Sequence, residues 1–384
     1  MHYFLIAGEA SGDLHGGELI RYLRMDDAEA RFTFLGGDKM AAAAAGAPLI
    51  HYRDMAFMGF AEVLRNLGKV LGNLRTAKCA VLDSRPDALI LIDYPSFNLK
   101  VARTAYKAGI PVYYYISPKI WAWKKWRIRD IRKMVRRVLS ILPFEPKFYR
   151  DNGFDATYVG NPSVAEVDAQ LATAGTKEAF LLRHRLRPRP LIALMPGSRV
   201  GEIRNNLPIM TAALRQFPQY RGVIVGAPAI DDSVYAANQG NLPGDPVPVV
   251  REESAVHILK HCRAAVVTSG TATLETALVG IPQVAVYRGS GSKLAYGVMK
   301  RILSVGFVTL PNLIVGRRVI PELLMHECTA ENIARELSAI VPETAPVRKE
   351  QMDGYAEMRR ILGPQCAPEV AAGIITKDLN IVPR

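Results

Sequence analysis

The sequence predicts a doubly wound α/β fold made of two Rossmann-like domains that face a cleft. Three observations carry that expectation. Near-continuous apolar runs alternate with helical patterns along most of the chain, as buried parallel strands do when helices cover both faces of a sheet. A polar break between about Gly160 and Arg189 divides those runs into two series. Each series opens with a strand that feeds a glycine-bearing loop, as in a nucleotide-binding half-domain.

The first series offers strands at His2–Ala7, Phe32–Gly36, Ala88–Asp93, Val112–Ile116 and Val138–Leu142. The second offers Leu191–Met195, Gly222–Gly226, Ala264–Thr268 and Gln283–Tyr287. The expected domains are 1–165 and 166–345. A tail of two helices follows over 346–384, split at Gly363-Pro364 and able to pack back on the first domain. Composition agrees with this plan. A chain of 384 residues exceeds one ordinary core, and 49% apolar content argues against disorder. No run approaches the roughly 18 apolar residues that suggest a membrane-spanning helix. The N-terminus lacks the basic and apolar regions of a secretion signal and reads as a first strand. Cys79, Cys262, Cys328 and Cys366 form no CxxC pair, so reduced, cytosolic thiols are the plain reading.

Several strand ends carry polar chemistry. The first strand runs into Gly8-Glu9-Ala10-Ser11-Gly12-Asp13, followed by a helix bearing Leu14, Leu19, Ile20 and Leu23. Glycines at such a turn let a ligand approach the backbone, and the helix start favours anions. The loop is not GxGxxG, and a turn required only for packing is the alternative. In the second series, Pro196-Gly197-Ser198-Arg199 follows one strand and Ser269-Gly270-Thr271 follows another, with Glu275 expected in the first turn of the next helix. Together these make a diphosphate cradle, with Glu275 placed for ribose hydroxyls. A plain helix-dipole carboxylate is the competing reading of Glu275. Asp93 ends the apolar run Leu89–Ile92, where open α/β sheets hold ligands, so it is a candidate general base with a tuned pKa. It also fits an N-cap or turn aspartate. His257 and His261 lack an HExxH context and read as a helix face. Asp-x-Asp is absent, and no P-loop pattern is present.

Charge points to a surface. The net charge is +13, and eight Lys or Arg fall between Lys124 and Arg137 against one acid, Asp130. The three tryptophans Trp121, Trp123 and Trp126 adjoin this tract. Aromatic area beside dense positive charge suits an anionic phospholipid face or a nucleic acid. Candidate lipid contacts are Trp121, Trp123, Lys124, Lys125, Trp126 and Arg127, with Phe60, Leu64, Leu67 and Leu71 of an amphipathic segment that begins near Met58. A helix packed into the core is the commoner meaning of that segment.

The chain is similar to the bacterial lipid-A-disaccharide synthase family over nearly its full length. The likeness rests on Gly8–Asp13, Ile92–Asn98, Ser117–Trp123, Leu142–Glu145, Pro196–Arg199, Thr268–Glu275 and Leu310–Leu313, all in one order. It implies a GT-B fold and an inverting glycosyltransferase. The donor would be UDP-2,3-diacylglucosamine and the acceptor 2,3-diacylglucosamine 1-phosphate, giving lipid A disaccharide 1-phosphate and UDP. Asp93 would be the catalytic base. Ser198, Arg199, Gly270 and Thr271 would hold the diphosphate, Glu275 the ribose, and Asn312 would lie near the nucleotide or sugar. Gly8, Glu9, Ser11, Gly12 and Asp13 would line the cleft from the first domain. The family implies no metal and no cofactor. Weighed with the basic, tryptophan-bearing tract, it leads to the expectation of a peripheral enzyme on inner-membrane phospholipids, at the cytoplasmic face of a Gram-negative bacterium, with no nucleic acid partner. Monomer and homodimer both remain open. The family often has a second aspartate where this chain has Ser96, which leaves Asp93 as the stronger base. The rival readings are another GT-B protein, such as a UDP-N-acetylglucosamine transferase or epimerase, and a basic RNA-binding protein.

Overall fold

The strands fall into two parallel sheets. In this computed structural model residues 1–55, 67–123, 125–240, 246–288 and 306–380 are described. The chain forms two compact units, residues 1–162 with 364–384, and residues 163–363. The first holds β1 (His2–Ala7), β2 (Arg31–Gly36), β3 (Ile50–His51), β4 (Ala88–Ile92), β5 (Val112–Tyr115), β6 (Arg137–Ser140) and β7 (Ala156–Tyr158). Their order is β3-β2-β1-β4-β5-β6-β7. The second holds β8 (Leu191–Met195), β9 (Arg221–Val225), β10 (Val249–Val250), β11 (Cys262–Thr268), β12 (Gln283–Tyr287) and β13 (Glu322–Leu324), in the order β10-β9-β8-β11-β12-β13.

Alternation along each central strand explains why these segments pair. Phe4 and Ile6 of β1 join one apolar cluster with Leu89 and Leu91 of β4. Tyr3, Leu5 and Ala7 join another with Ala88, Ile90 and Ile92. Neighbouring strands keep this parity, since Leu5 pairs with Phe34 on one side and Ile90 on the other. The second sheet repeats the plan, with Ile192 and Leu194 on one face and Leu191, Ala193 and Met195 on the other. A run buried on both faces must be apolar throughout, as the sequence pattern required.

The strands that the sequence did not reveal are β3, β7, β10 and β13. Each is an edge strand of two or three residues, too short to show a period. A second difference concerns the tail. Rather than forming one segment over 346–384, it divides. The helix Pro346–Leu362 belongs to the second unit and the helix Ala367–Asp378 to the first. Apolar packing explains the first-unit half. Ala367, Ala371, Ala372 and Ile375 share a buried cluster with Leu19, Ile20 and Leu23 of the helix Ala10–Asp26. Asp378 then receives a two-pronged contact from Arg137, at 2.9 and 3.1 Å. Arg136 adds a longer one at 3.4 Å. The Arg137 hydrogen bond and both guanidinium charges hold the Asp378 carboxyl below its usual range. Arg136 and Arg137 are therefore engaged within the fold, although the basic tract as a whole suggested an outward surface.

Asp13 has a structural duty. It is 3% exposed and accepts hydrogen bonds from the backbone N–H groups of Gly37 (2.7 Å), Lys39 (3.0 Å) and Met40 (3.1 Å). These are donors at the start of the helix Asp38–Ala44, which no cap side chain satisfies. Expected to line a cleft, Asp13 instead fastens this helix beneath the sheet edge. Asp13→Ala should lower unfolding stability by about 2–4 kcal/mol in urea titration, because buried donors lose a charged acceptor. Asp13→Asn keeps an oxygen for two of the three donors and should recover part of the loss.

Candidate functional site

Both sheets have the doubly wound order, and in each the strand direction of travel reverses beside the first strand. Ligands of open α/β sheets bind at the carboxyl ends of the strands at that reversal. In the first unit the reversal lies between β1 and β4, so the Gly8–Gly12 loop and Asp93 occupy it. In the second it lies between β8 and β11, which places Ser198 and Arg199 beside Gly270 and Thr271.

Asp93 sits in strained backbone. Asp93 and Tyr94 have φ of 43° and 45°, the left-handed region that side chains disfavour. Such residues cost on the order of 1–3 kcal/mol each and persist where surrounding contacts dictate them. Those contacts are present. The Asp93 carbonyl accepts from Asn98 Nδ2 at 2.7 Å and from the Tyr114 hydroxyl at 2.6 Å. The Asp93 N–H donates to the Ile116 carbonyl at 3.2 Å, and the Tyr94 hydroxyl donates to the Met55 carbonyl at 2.9 Å. Gly8 is needed because a Cβ there would run into the Tyr94 ring, and a Cβ on Gly12 would press on Ala7 of β1. Glu9 stands at the N-cap of the helix Ala10–Asp26 and Ser11 in its first turn, where the Ser11 hydroxyl donates to Glu9 Oε1 at 2.9 Å.

Burial pushes the Asp93 carboxyl up to about 6, the nearby Glu9 carboxylate adds to the rise, and Lys119 opposes it. A carboxylate of that basicity can accept a proton near neutral pH. Lys119 is held in the Ser117–Trp121 loop by an acid that the sequence reading left without a role. Glu145 is 1% exposed and accepts from Ser117 Oγ at 2.7 Å, from Trp121 Nε1 at 2.8 Å and from Ser140 Oγ. Burial raises the Glu145 carboxyl while these donors pull it back down. Trp121 is thus only 7% exposed and packs edge-on against Phe144. It is not a lipid contact, because its indole N–H is spent on Glu145.

In the second unit, Gly197 has φ of 119°, and a Cβ there would collide with the Glu202 carboxylate. That carboxylate accepts from the Ser198 N–H at 3.0 Å and pairs with Arg199 Nη1 at 3.0 Å. Ser198 and Arg199 are exposed, so an arriving diphosphate would compete with Glu202 for the guanidinium. Gly270 and Thr271 are exposed at the start of the helix Thr271–Val279, whose first N–H groups have no side-chain cap. Glu275 is the fifth residue of that helix, one turn in rather than in the first turn. Burial, then the neighbouring Glu166, raises its carboxyl.

Asn206 went unnoticed in the sequence. It is fully buried and its amide joins three strand ends. Nδ2 donates to the Pro196 carbonyl at 3.3 Å and to Thr268 Oγ1 at 3.1 Å, while Oδ1 accepts from the Arg288 N–H at 3.0 Å. The available signal was an asparagine on the apolar stripe of Ile203, Leu207 and Met210. Asn312 carries the opposite lesson. It is 0% exposed, with Oδ1 accepting from Val319 and Ile320 and Nδ2 donating to the Ile320 carbonyl and Glu322. Both amide atoms are saturated internally, so Asn312 shapes its loop and is not free to meet a nucleotide.

Of the expected lipid contacts, Phe60, Leu64 and Lys124 lie outside the described residues, as do the side chains of Trp123 and Lys125. Leu67 and Leu71 are 45% and 52% exposed at the start of the helix Leu67–Ser84, which buries Leu74, Ala77 and Val81. Trp126 is 63% exposed, with the Arg127 guanidinium 5.5 Å from its ring centre. Arg127 also donates to Ser96 Oγ at 3.2 Å. Among the described residues, no helix is long and apolar enough to cross a membrane.

The model of the family described as lipid-A-disaccharide synthetase matches residues 3–369. The lipid-A-disaccharide synthases of Acidobacterium capsulatum and Myxococcus xanthus are each 40% identical to this chain. The first alignment covers 96% of this chain and 93% of the relative, and the second 96% and 95%. The chain belongs to the lipid-A-disaccharide synthase family. It is accordingly a glycosyltransferase of lipid A biosynthesis. Solved structures agree on the fold. A UDP-GlcNAc 2-epimerase from Neisseria meningitidis, bound to UDP-GlcNAc, has a TM-score of 0.67 at 11% identity, covering 99% of this chain and all of its own. The MurG protein of Acinetobacter baumannii has a TM-score of 0.58 at 14% identity, covering 98% and 99%. At such identities the likeness speaks for the GT-B fold alone.

The surroundings of Asp93 make a directional prediction for this synthase-family chain. Glu9→Gln removes a like charge and should move the acid limb of the kcat/KM profile to lower pH. Lys119→Met removes the opposing cation and should move it to higher pH. Unmoved profiles in both variants would show that Asp93 does not set that limb.

Proposed function

We propose that the chain transfers a 2,3-diacylglucosamine unit from its UDP donor to 2,3-diacylglucosamine 1-phosphate, with inversion at the donor sugar carbon. The observation that carries this reading is the raised carboxyl of Asp93 at the reversal of the first sheet, in a chain of this family. A single displacement needs one base on the acceptor hydroxyl and one means of stabilising the leaving diphosphate. Asp93 takes the hydroxyl proton as the new glycosidic bond forms and the bond to UDP breaks. Ser198, Arg199 and the open N–H groups at Gly270 and Thr271 receive the charge that accumulates on the diphosphate. Glu275 accepts from the ribose hydroxyls, and Asn206 keeps the cradle's strand ends in register. Glu9 and Ser11 contribute to the acceptor side.

Asp93→Asn should lower kcat by roughly 100-fold or more while leaving UDP affinity within about twofold, since only a proton acceptor is lost. Near-normal turnover in the UDP-sugar assay would remove Asp93 as the base. Glu275→Ala should weaken UDP binding about 10- to 150-fold by calorimetry, the scale of one charged hydrogen bond.

The chain is further proposed to work at the inner face of the cytoplasmic membrane. Leu67, Leu71 and Trp126 offer exposed apolar area, and in the sequence Lys124 and Lys125 directly precede Trp126. Replacing Leu67, Leu71 and Trp126 with Ser should reduce co-sedimentation with anionic vesicles several-fold without a change in unfolding midpoint. Unchanged co-sedimentation would count against docking through these residues.

A further inference from the structure

A basic cluster away from the strand-end loops lines an open cleft of about 820 Å³ in the second unit. It lies at the amino ends of strands in the second sheet. Pro190 precedes β8, Tyr220 precedes β9 and Cys262 begins β11, and all three line the cleft. Ser198, Arg199, Gly270 and Thr271 follow the carboxyl ends of β8 and β11. The two locations are therefore separated by at least the five residues of β8, about 16 Å of strand.

Four permanent cations line this cleft, namely Lys177, Lys260, Arg263 and Arg348, against the single carboxylate Glu343. Glu343 pairs with Arg263 at 3.3 Å from a side chain that is 84% exposed. Lys260 and Arg348 are anchored by neutral groups. Lys260 Nζ donates to the Ala174 carbonyl at 3.1 Å. Arg348 Nη1 donates to the carbonyls of Arg263 at 2.9 Å and Ile340 at 3.2 Å. Carbonyl anchors fix where a charge sits without neutralising it, so the cleft keeps a positive excess in defined positions. Burial, then the adjacent Arg263, holds the Arg348 guanidinium below its ordinary range, as expected for cations that crowd one another.

We propose that this cleft is a second anion site, distinct from the nucleotide loops, for a soluble small molecule bearing two or more phosphate-type charges. Several phosphate oxygens can meet lysine and arginine donors from different elements at once, which a single carboxylate cannot do. The cleft draws on the loop before the helix Lys177–Arg183, the end of the helix Ala255–Lys260 and the helix Pro346–Leu362. A bound polyanion would thus tie three elements of the second unit together.

Lysine footprinting of the intact chain tests this without altering the cleft. Inorganic pyrophosphate should slow acetylation of Lys177 and Lys260 at least threefold by mass spectrometry. Lys147, exposed on the first unit and paired with Asp151, should be unaffected. The protection should persist in Arg199→Ala, and it should fade as sodium chloride is raised. Unchanged rates at both lysines would overturn the proposal. Protection that disappears in Arg199→Ala would overturn it too, by tracing the effect to the nucleotide loops. So would protection by phosphatidylglycerol vesicles but not by pyrophosphate, which would give the cleft to lipid head groups.

Discussion

Everything functional in this chain depends on parallel strands that are buried on both faces. Such strands bury every side chain they carry, as β1 does from Tyr3 to Ala7 and β4 from Ala88 to Ile92. Burying one large apolar side chain contributes about 1.5–3 kcal/mol, so each central strand is a substantial fixed element. Polar chemistry is then excluded from the strands and displaced to their ends. Because both sheets reverse their order beside the first strand, the displaced polar loops converge in pairs. Asp93 meets the Gly8 loop in one unit, and Pro196–Arg199 meets Ser269–Thr271 in the other.

The two loop pairs solve different electrostatic problems. Around Asp93, burial and Glu9 make a carboxylate basic, while Lys119 limits the effect. The left-handed backbone at Asp93 and Tyr94 is maintained by Asn98, Tyr114 and Tyr94 itself. In the second unit the positive groups are available but partly occupied, since Glu202 already engages the Ser198 N–H and Arg199. A diphosphate offers more oxygens than Glu202 does.

The nine central strands were legible in the sequence because two-sided burial leaves an unbroken apolar run. The four edge strands were not, because two or three residues cannot display a pattern. Polar residues divided along another line. Asp93, Ser198, Arg199 and Gly270 were expected at strand ends, and the structure puts them there. Asp13 was singled out in a strand-end turn, Trp121 beside a basic tract and Asn312 by the family resemblance, yet each has its polar atoms committed within the fold. Whether a polar atom is already satisfied depends on partners distant in sequence, such as Gly37 for Asp13 and Glu145 for Trp121. Asn206 shows the converse, being concealed in an apolar stripe while joining three strand ends. Arg136 and Arg137 likewise belonged to one basic tract by sequence, but Asp378 pairs with both of them at the surface.

The central claim is transfer of an acylated sugar between two acylated glucosamines. Mass spectrometry of the purified chain with UDP-2,3-diacylglucosamine and 2,3-diacylglucosamine 1-phosphate tests it most directly. The account predicts one disaccharide 1-phosphate formed for each UDP released, only when both substrates are present. UDP release without the disaccharide, or an isomerised donor in its place, would contradict it.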